Sequence, residues 1–183
     1  TCALPISFES KLSYVIDSAL LQEPIYQPEL DIITGDQLYV SQASIKQRCG
    51  RTGRTSTGTC IHLYTKYYYD NLFLKYSIPT IRKNDITPEL LRIMNLPINK
   101  NSLANGLDFF KMMIEPIENM LPFLKRAIIN LQGTGMIIPI INENGNRDYV
   151  ISPMGLLFTK FRNNNISSME DIRLIVAAHH LNN

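Results

Sequence analysis

The chain has 183 residues and a formal net charge of +2, long enough for one domain or two small ones and too nearly neutral for charge alone to imply nucleic acid. No run approaches the roughly 20 apolar residues of a membrane span, and no basic start followed by a long apolar stretch marks a signal peptide, so no membrane partner is expected. The three cysteines, Cys2, Cys49 and Cys60, form no C-x-x-C pair and show no zinc spacing with His62, His179 or His180. No metal site is expected from them, and their odd, scattered usage fits a reducing compartment.

In chain order, Leu12 to Ile16, followed by Asp17, has the pattern of a short buried strand. Pro24, Pro28 and the Gly35-Asp36 pair break up the stretch from Leu21 to Val40. Ile32-Ile33 and Leu38-Tyr39-Val40 flank that glycine and predict a β-hairpin turning at Gly35-Asp36. Ser41 suits the cap of a helix running through Gln47. Lys46, Arg48, Arg51 and Arg54 then fall within nine positions that hold no acid, and Gly50 and Gly53 alternate with the last two arginines. Guanidinium forks match phosphate oxygens in pairs, and small neighbours let an anion come close to the backbone. Thr55 to Gly58 reads as a polar turn and Thr59 to Thr65 as a strand, with His62 a structural histidine on it. Tyr67 to Tyr76 reads as an amphipathic helix packed on a sheet edge, in preference to a base-stacking aromatic cluster.

From Thr87 onward the pattern turns helical. Thr87 caps, Pro88 suits the first turn, Glu89 favours the helix dipole, and Leu90, Leu91, Ile93 and Met94 supply an apolar face. Asn99 to Asn105 reads as a polar loop. Glu118 to Leu131 predicts a helix with Leu121, Leu124, Ile128 and Leu131 on one stripe. Met136 to Ile138 and Tyr149 to Ile151 bracket Asn144-Gly145-Asn146 and predict a second hairpin. Helix, helix and hairpin in that order form a winged-helix unit. Leu156, Leu157, Phe158 and Phe161 supply a further helix. Met169 to Leu181 predicts a last one, whose apolar face (Met169, Ile172, Ile175, Val176) has nothing after it, as in a chain cut short.

The run Q-R-x-G-R-x-G-R at Gln47 to Arg54 resembles the last motif of superfamily-two helicases, and S-x-A-S-x-x-Q at Ser41 to Gln47 resembles its DEAH-box branch. The likeness extends to V-I-D at Val15 to Asp17, G-x-C-x-x-L-Y-T at Gly58 to Thr65, and the linker at Ile78 to Lys83, where Thr80 replaces the usual acid. Leu107 to Phe110 is similar to a family stretch whose proline is displaced here to Pro116. Ser152 to Gly155 resembles the T-x-L-G that follows the family's wing.

That resemblance, spanning Leu12 to Leu181, implies an α/β fold. A partial RecA-like second helicase domain (residues 8–80) would precede a winged-helix domain (81–165) and the start of a helical ratchet-like bundle (166–183). It implies an ATP-dependent RNA helicase, with DNA as a possible substrate, working inside the cell in cytoplasm, nucleus or virus factory. In the ATP site it implies, Gln47 orients toward the γ-phosphate and attacking water. Arg51 and Arg54 act as arginine fingers, Gly50 and Gly53 let the phosphates approach, and Arg48 buttresses the motif through a carboxylate. The sequence holds no G-x-x-x-x-G-K-[ST] loop and no D-E-x-H. The phosphate cradle and the Mg²⁺ ligands are therefore expected from an N-terminal RecA-like domain missing from this chain, and the chain alone is expected to be inactive.

Residues 1–7 back-translate onto the end of a common sequencing adapter and are expected to be a non-native artefact; the rival reading is a degenerate helicase motif with Thr1 and Ser7 as its polar positions. The reading from another functional class is a non-catalytic winged-helix module that binds nucleic acid or protein.

Overall fold

Tyr14–Asp17 (β1) and Thr59–His62 (β4) pair in parallel, Tyr14 opposite Thr59 and Asp17 opposite His62. Parallel neighbours need a long crossover, and here it consists of Leu20–Gln27 (β2), Ile32–Tyr39 (β3) and the helix Gln42–Cys49 (α1). The structure is a computed structural model that describes residues 13–52, 57–113, 117–142 and 144–161, with 171, 174 and 178 beyond them. The chain divides into two units. The first comprises the residues up to Ile25 together with Ile33–Thr80; the second comprises Tyr26–Ile32 and everything from Ile81.

In the first unit α1 begins where expected. Ser41 is extended, and its hydroxyl accepts the Ser44 amide at 3.2 Å. The short helix Lys66–Asn71 (α2) follows β4 and is capped by Thr65. It ends well before Tyr76, so Phe73 packs from an irregular segment. Ala19, Val40, Ile45 and Phe73 are buried together, with Cys49, Tyr64 and Tyr69 against them. Phe73 is the hub of the aromatic contacts, its ring centroid 5.1 Å from those of both Tyr39 and Tyr64. Strand β4 stops at His62, short of the expected Thr65.

The predicted turn at Gly35-Asp36 is not a turn. β3 runs straight through it, and β2 and β3 form a hairpin that reverses at residues 28–31. Gly35 tolerates a turn but does not require one. The reversal is set by Pro28, by Asp31 at φ 58°, and by the Leu30 and Asp31 amides, which both bond the Gln27 carbonyl (3.2 and 2.9 Å). Strand periodicity on both sides then outweighs the glycine.

In the second unit Thr87–Met94 (α3), Leu103–Met113 (α4) and Leu121–Gly133 (α5) precede the hairpin Ile137–Ile141 (β5) and Arg147–Ile151 (β6), with Pro153–Phe161 (α6) last. The core contains Leu90, Leu91 and Met94 of α3, Phe110 of α4, Leu124, Ala127 and Leu131 of α5, and Phe158 of α6. Residues 26–32 belong to this unit. Arg126 donates to the Pro28 and Glu29 carbonyls, both at 2.7 Å, and the Tyr26 ring lies 6.3 Å from that of Phe123. The Tyr26 hydroxyl donates to Asp31, which holds that carboxyl below its usual range, while burial first and that bond second push the phenol well up.

Several local expectations are corrected here. Thr87 is the first helical residue of α3, and the carboxylate that accepts its amide is Asp85, at 2.9 Å. The expected polar loop from Asn99 to Asn105 already contains the start of α4. Ser102 accepts the Asn105 amide at 3.2 Å, and buried Asp148, arriving from β6, accepts the Ala104 amide at 3.1 Å and the Ser102 hydroxyl at 2.7 Å. A carboxylate at a helix N-terminus satisfies orphan amides and opposes the dipole. Leu121 does not join the stripe of α5: it is exposed, and Ala127 lies buried beside Leu124 and Leu131 instead. The β5–β6 hairpin has Ile137 opposite Ile151 and turns through Gly145 at φ 75°. Of the last predicted helix, Asp171, Leu174 and Ala178 are helical, and the apolar face assigned to it lies outside the described residues, as do residues 1–7.

Candidate nucleotide-phosphate site

Helix α1 carries Ile45 into the core of the first unit, and this anchors the helix with its C-terminal end beside β1 and β4. Cations suit that end, where unpaired carbonyls concentrate negative potential, and Lys46 and Arg48 occupy it. The chain then leaves by a tight turn. The Gly50 amide bonds the Lys46 carbonyl at 2.9 Å, the Arg51 amide bonds Arg48 at 3.1 Å, and the Thr52 hydroxyl closes on the Cys49 carbonyl at 2.8 Å.

The arginines of this turn have different situations. Arg48 donates from Nη1 to Asp17 Oδ1 at 2.9 Å, and both its terminal nitrogens approach the Leu20 carbonyl (3.5 and 3.4 Å). Asp17 is 2% exposed and also accepts the Ala19 amide at 3.0 Å and the Tyr64 hydroxyl at 3.4 Å. Arg48 is thus a strut between α1 and the end of β1, and Asp17 is the carboxylate that the sequence reading had left without a name. Arg51 is half-buried in the turn, and among the described residues nothing accepts a bond from its guanidinium. Gln47 is exposed on the last turn of α1, four residues before Arg51, and its side chain is likewise unengaged among the described residues. Gly50 is exposed; a Cβ there would sit 3.2 Å from the Lys46 carbonyl oxygen, tight but not excluded. Gly53 and Arg54 lie outside the described residues. The structure therefore brings Gln47, Gly50 and Arg51 to one end of one helix, with Arg51 the half-buried cation there that has no partner among the described residues.

Two things beside this turn escaped the sequence reading. Cys49 and Cys60 are joined by a disulfide, and with His62 their ligand atoms lie within 4.8 Å of one another, so the cysteines are not scattered in space. No local motif signals this; the packing of α1 on β1, which pairs with β4, brings positions 49 and 60 together. His62 and Tyr64 form the second feature, with Nδ1 to Oη at 2.6 Å. Burial first, then the charge of Asp17, pushes the Tyr64 phenol up to about 12. Two sulfurs and an imidazole are soft ligands and do not fit Mg²⁺, which takes oxygen.

A parallel strand pair delivering a helix that ends in an arginine turn, followed by a helical unit with a hairpin, is a mixed α/β arrangement that this chain shares with solved helicase structures. A crystal structure of the Escherichia coli DEAH/RHA helicase HrpB matches 79% of this chain and 16% of its own at TM-score 0.55 and 25% identity. A second, of the same bacterium's DExH-box NTPase HrpB, matches the same shares at TM-score 0.56 and 24% identity. No protein-family model matches the chain.

Over most of its length the chain is similar to proteins named as DEAH/DExH-box ATP-dependent RNA helicases. It is 31% identical over 150 residues to a protein of Acanthamoeba polyphaga mimivirus named for that activity, covering 82% of this chain and 20% of that protein. To the Arabidopsis thaliana DExH-box ATP-dependent RNA helicase DExH2 it is 36% identical over 126 residues, 69% of this chain and 8% of that one. To the Schizosaccharomyces pombe pre-mRNA-splicing factor ATP-dependent RNA helicase prp22 it is 30% identical over 129 residues, 69% and 11%. The chain thus spans about a fifth of the mimivirus protein and less of the others.

Proposed function

We propose that this chain is the C-terminal part of the motor of an ATP-dependent RNA helicase and supplies the arginine-bearing half of its nucleotide site. The observation that carries the reading is Arg51, half-buried and without an acceptor among the described residues, on a turn whose neighbour Arg48 is braced by a buried carboxylate. A half-buried guanidinium with no acceptor among the described residues is suited to an anion brought to it from outside. In phosphoryl transfer such a group neutralises charge on the equatorial oxygens as the transition state forms. Gln47 orients the attacking water, Arg54 is the second finger, and Gly50 and Gly53 keep the backbone clear of the phosphates. The phosphate loop and the oxygen ligands for Mg²⁺ come from an N-terminal RecA-like domain of the full-length protein.

On the same reading the first unit is the end of the second RecA-like domain. The helices and β5–β6 hairpin of the second unit are a winged-helix domain, and residues 166–183 open a ratchet-like bundle. The substrate is RNA, as the names of the relatives state for those proteins, and the protein works inside the cell, in cytoplasm, nucleus or virus factory.

The test is RNA-stimulated ATP hydrolysis by the full-length protein with Arg51→Lys and Arg51→Ala. Both are expected to lose on the order of a thousandfold or more in kcat while RNA binding is kept, because a lysine cannot reproduce the fork. Turnover retained in Arg51→Lys would overturn the finger assignment, and no hydrolysis by the wild type would favour a non-catalytic binding module.

A further inference from the structure

Cys49 is the last residue of α1, and Cys60 lies within β4. Their Cα atoms are 5.5 Å apart, a separation that a disulfide spans without moving either backbone, and the structure joins them. Both residues are only half-buried, so a small thiol or disulfide can reach the sulfurs. Exposed disulfides are the exchangeable ones, whereas those that serve only structure are shielded from reductants. His62 Nε2 lies 4.0 Å from Cys49 Sγ. His62 Nδ1 shares a hydrogen bond with the Tyr64 hydroxyl at 2.6 Å, that hydroxyl also reaches Asp17 Oδ2 at 3.4 Å, and Nε2 is the ring nitrogen that faces the cysteine. The chain from Cys49 to Cys60 contains Gly50, Arg51, Gly53 and Arg54, so the bond closes a covalent ring through the last two arginines of the run.

We infer that Cys49 and Cys60 form a reversible thiol–disulfide site that exchanges with a low-molecular-weight disulfide of the glutathione class, and that its closed form anchors the arginine turn to β4. In closing, the Cys49 thiol gives up its proton to solvent and the thiolate attacks one sulfur of glutathione disulfide. The Cys49–glutathione bond forms, the glutathione S–S bond breaks, and one glutathione thiolate leaves. The Cys60 thiolate then attacks the Cys49 sulfur, the Cys49–Cys60 bond forms, and the second glutathione thiolate leaves. Two protein thiols are oxidised by two electrons, one glutathione disulfide is reduced to two glutathiones, and the two thiol protons end on the released thiolates. Opening is the reverse. The exchange requires nothing from the nucleotide reading and stands if that reading fails.

The test equilibrates the chain with mixtures of reduced and oxidised glutathione, blocks free thiols with N-ethylmaleimide, digests with trypsin and reads the peptides by mass spectrometry. The expected product is the peptide Cys49–Arg51 linked to Thr55–Lys66, rising to the dominant form as oxidised glutathione increases and disappearing when excess reduced glutathione is restored. Cys49→Ser and Cys60→Ser each lose the linked pair and carry one glutathione on the remaining cysteine. Accumulation of separate glutathione adducts in the wild type, or linkage of either cysteine to Cys2, would overturn the site. A linked pair that survives excess reduced glutathione in the folded chain would overturn its reversibility. If Zn²⁺ alone, added in equimolar amount to the reduced chain, shields both thiols from the maleimide and prevents the bond, the cluster is a metal site and the inference also falls.

Discussion

Asp17→Ala tests the brace that holds the arginine turn. The carboxylate is buried and accepts three groups: the Ala19 amide at 3.0 Å, Arg48 Nη1 at 2.9 Å and, more weakly, the Tyr64 hydroxyl at 3.4 Å. A bond to a charged partner contributes about 1.5–3 kcal/mol and a neutral one about 1. The Arg48 side chain is 35% exposed and reaches water when released, which places its share at the lower end. The Ala19 amide is enclosed and has no such escape. The sum is about 3 kcal/mol for Asp17→Ala. Asp17→Asn keeps an acceptor for the amide and loses the charge and the second oxygen that accepts the Tyr64 hydroxyl, at about 1–2 kcal/mol. The chain has no tryptophan, so urea unfolding is followed by circular dichroism. Hydrogen exchange of the peptides around Asp17 and α1 then separates the first unit from the second. Arg48→Met combined with Asp17→Ala should give a coupling energy of at least about 1 kcal/mol in a double-mutant cycle. A coupling below about 0.5 kcal/mol would refute the strut and leave Arg48 a surface charge.

Gly155 in α6 tests the packing behind the β5–β6 hairpin: a Cβ there would lie 2.3 Å from the Met136 carbonyl oxygen and 2.7 Å from Ile151 Cγ2. Gly155→Ala is expected to destabilise the second unit by about 1–3 kcal/mol despite the better helix propensity of alanine. Gly133→Ala, where nothing lies within 4 Å, should be neutral or slightly stabilising in the same urea titration, and equal effects would refute the clash. The raised phenol of Tyr64 sets an alkaline limit. A folded-state value of about 12 against an ordinary 10 means that its contribution is complete below pH 10 and is lost as pH rises toward 12. The urea midpoint should therefore fall more steeply over that window in wild type than in Tyr64→Phe, both on a background lacking Cys49 and Cys60; parallel curves would refute the shift.

What the sequence made legible was local. Ser41 as a cap, the buried face of α3 and the Asn-Gly hairpin each depend on neighbours within a few positions, and each forms where the pattern puts it. What it hid was decided at a distance. The start of α4 is secured by Asp148, 44 residues beyond the amide it accepts, so a stretch rich in asparagine read as loop. The turn of the first hairpin was misplaced because glycine permits a reversal wherever it stands, whereas Pro28 and Asp31 impose one. The cysteine pair follows from how α1 packs beside the β1–β4 pair, which no spacing rule for contiguous motifs contains.

The basic run shows how the two kinds of information combine. By charge and glycine spacing Arg48 and Arg51 are equivalent, each followed two positions later by a glycine, and only the family resemblance ranks them, Arg48 as a buttress and Arg51 as a finger. In the fold they divide because a helix offers only one face to the strand beneath it. Arg48 shares the face that holds Ile45 in the core and meets Asp17 there, while Arg51 falls past the last helical turn, where the backbone has already left the strand. A cation already paired with a buried carboxylate has little affinity left for a passing phosphate, since binding would first break that pair. A cation whose neighbours are fixed but whose own donors are unclaimed pays little to bind and little to orient. On the proposed function the braced arginine steadies the turn that carries the other, so Asp17→Ala should weaken the phosphate contact proposed for Arg51, a contact in which Asp17 has no direct part.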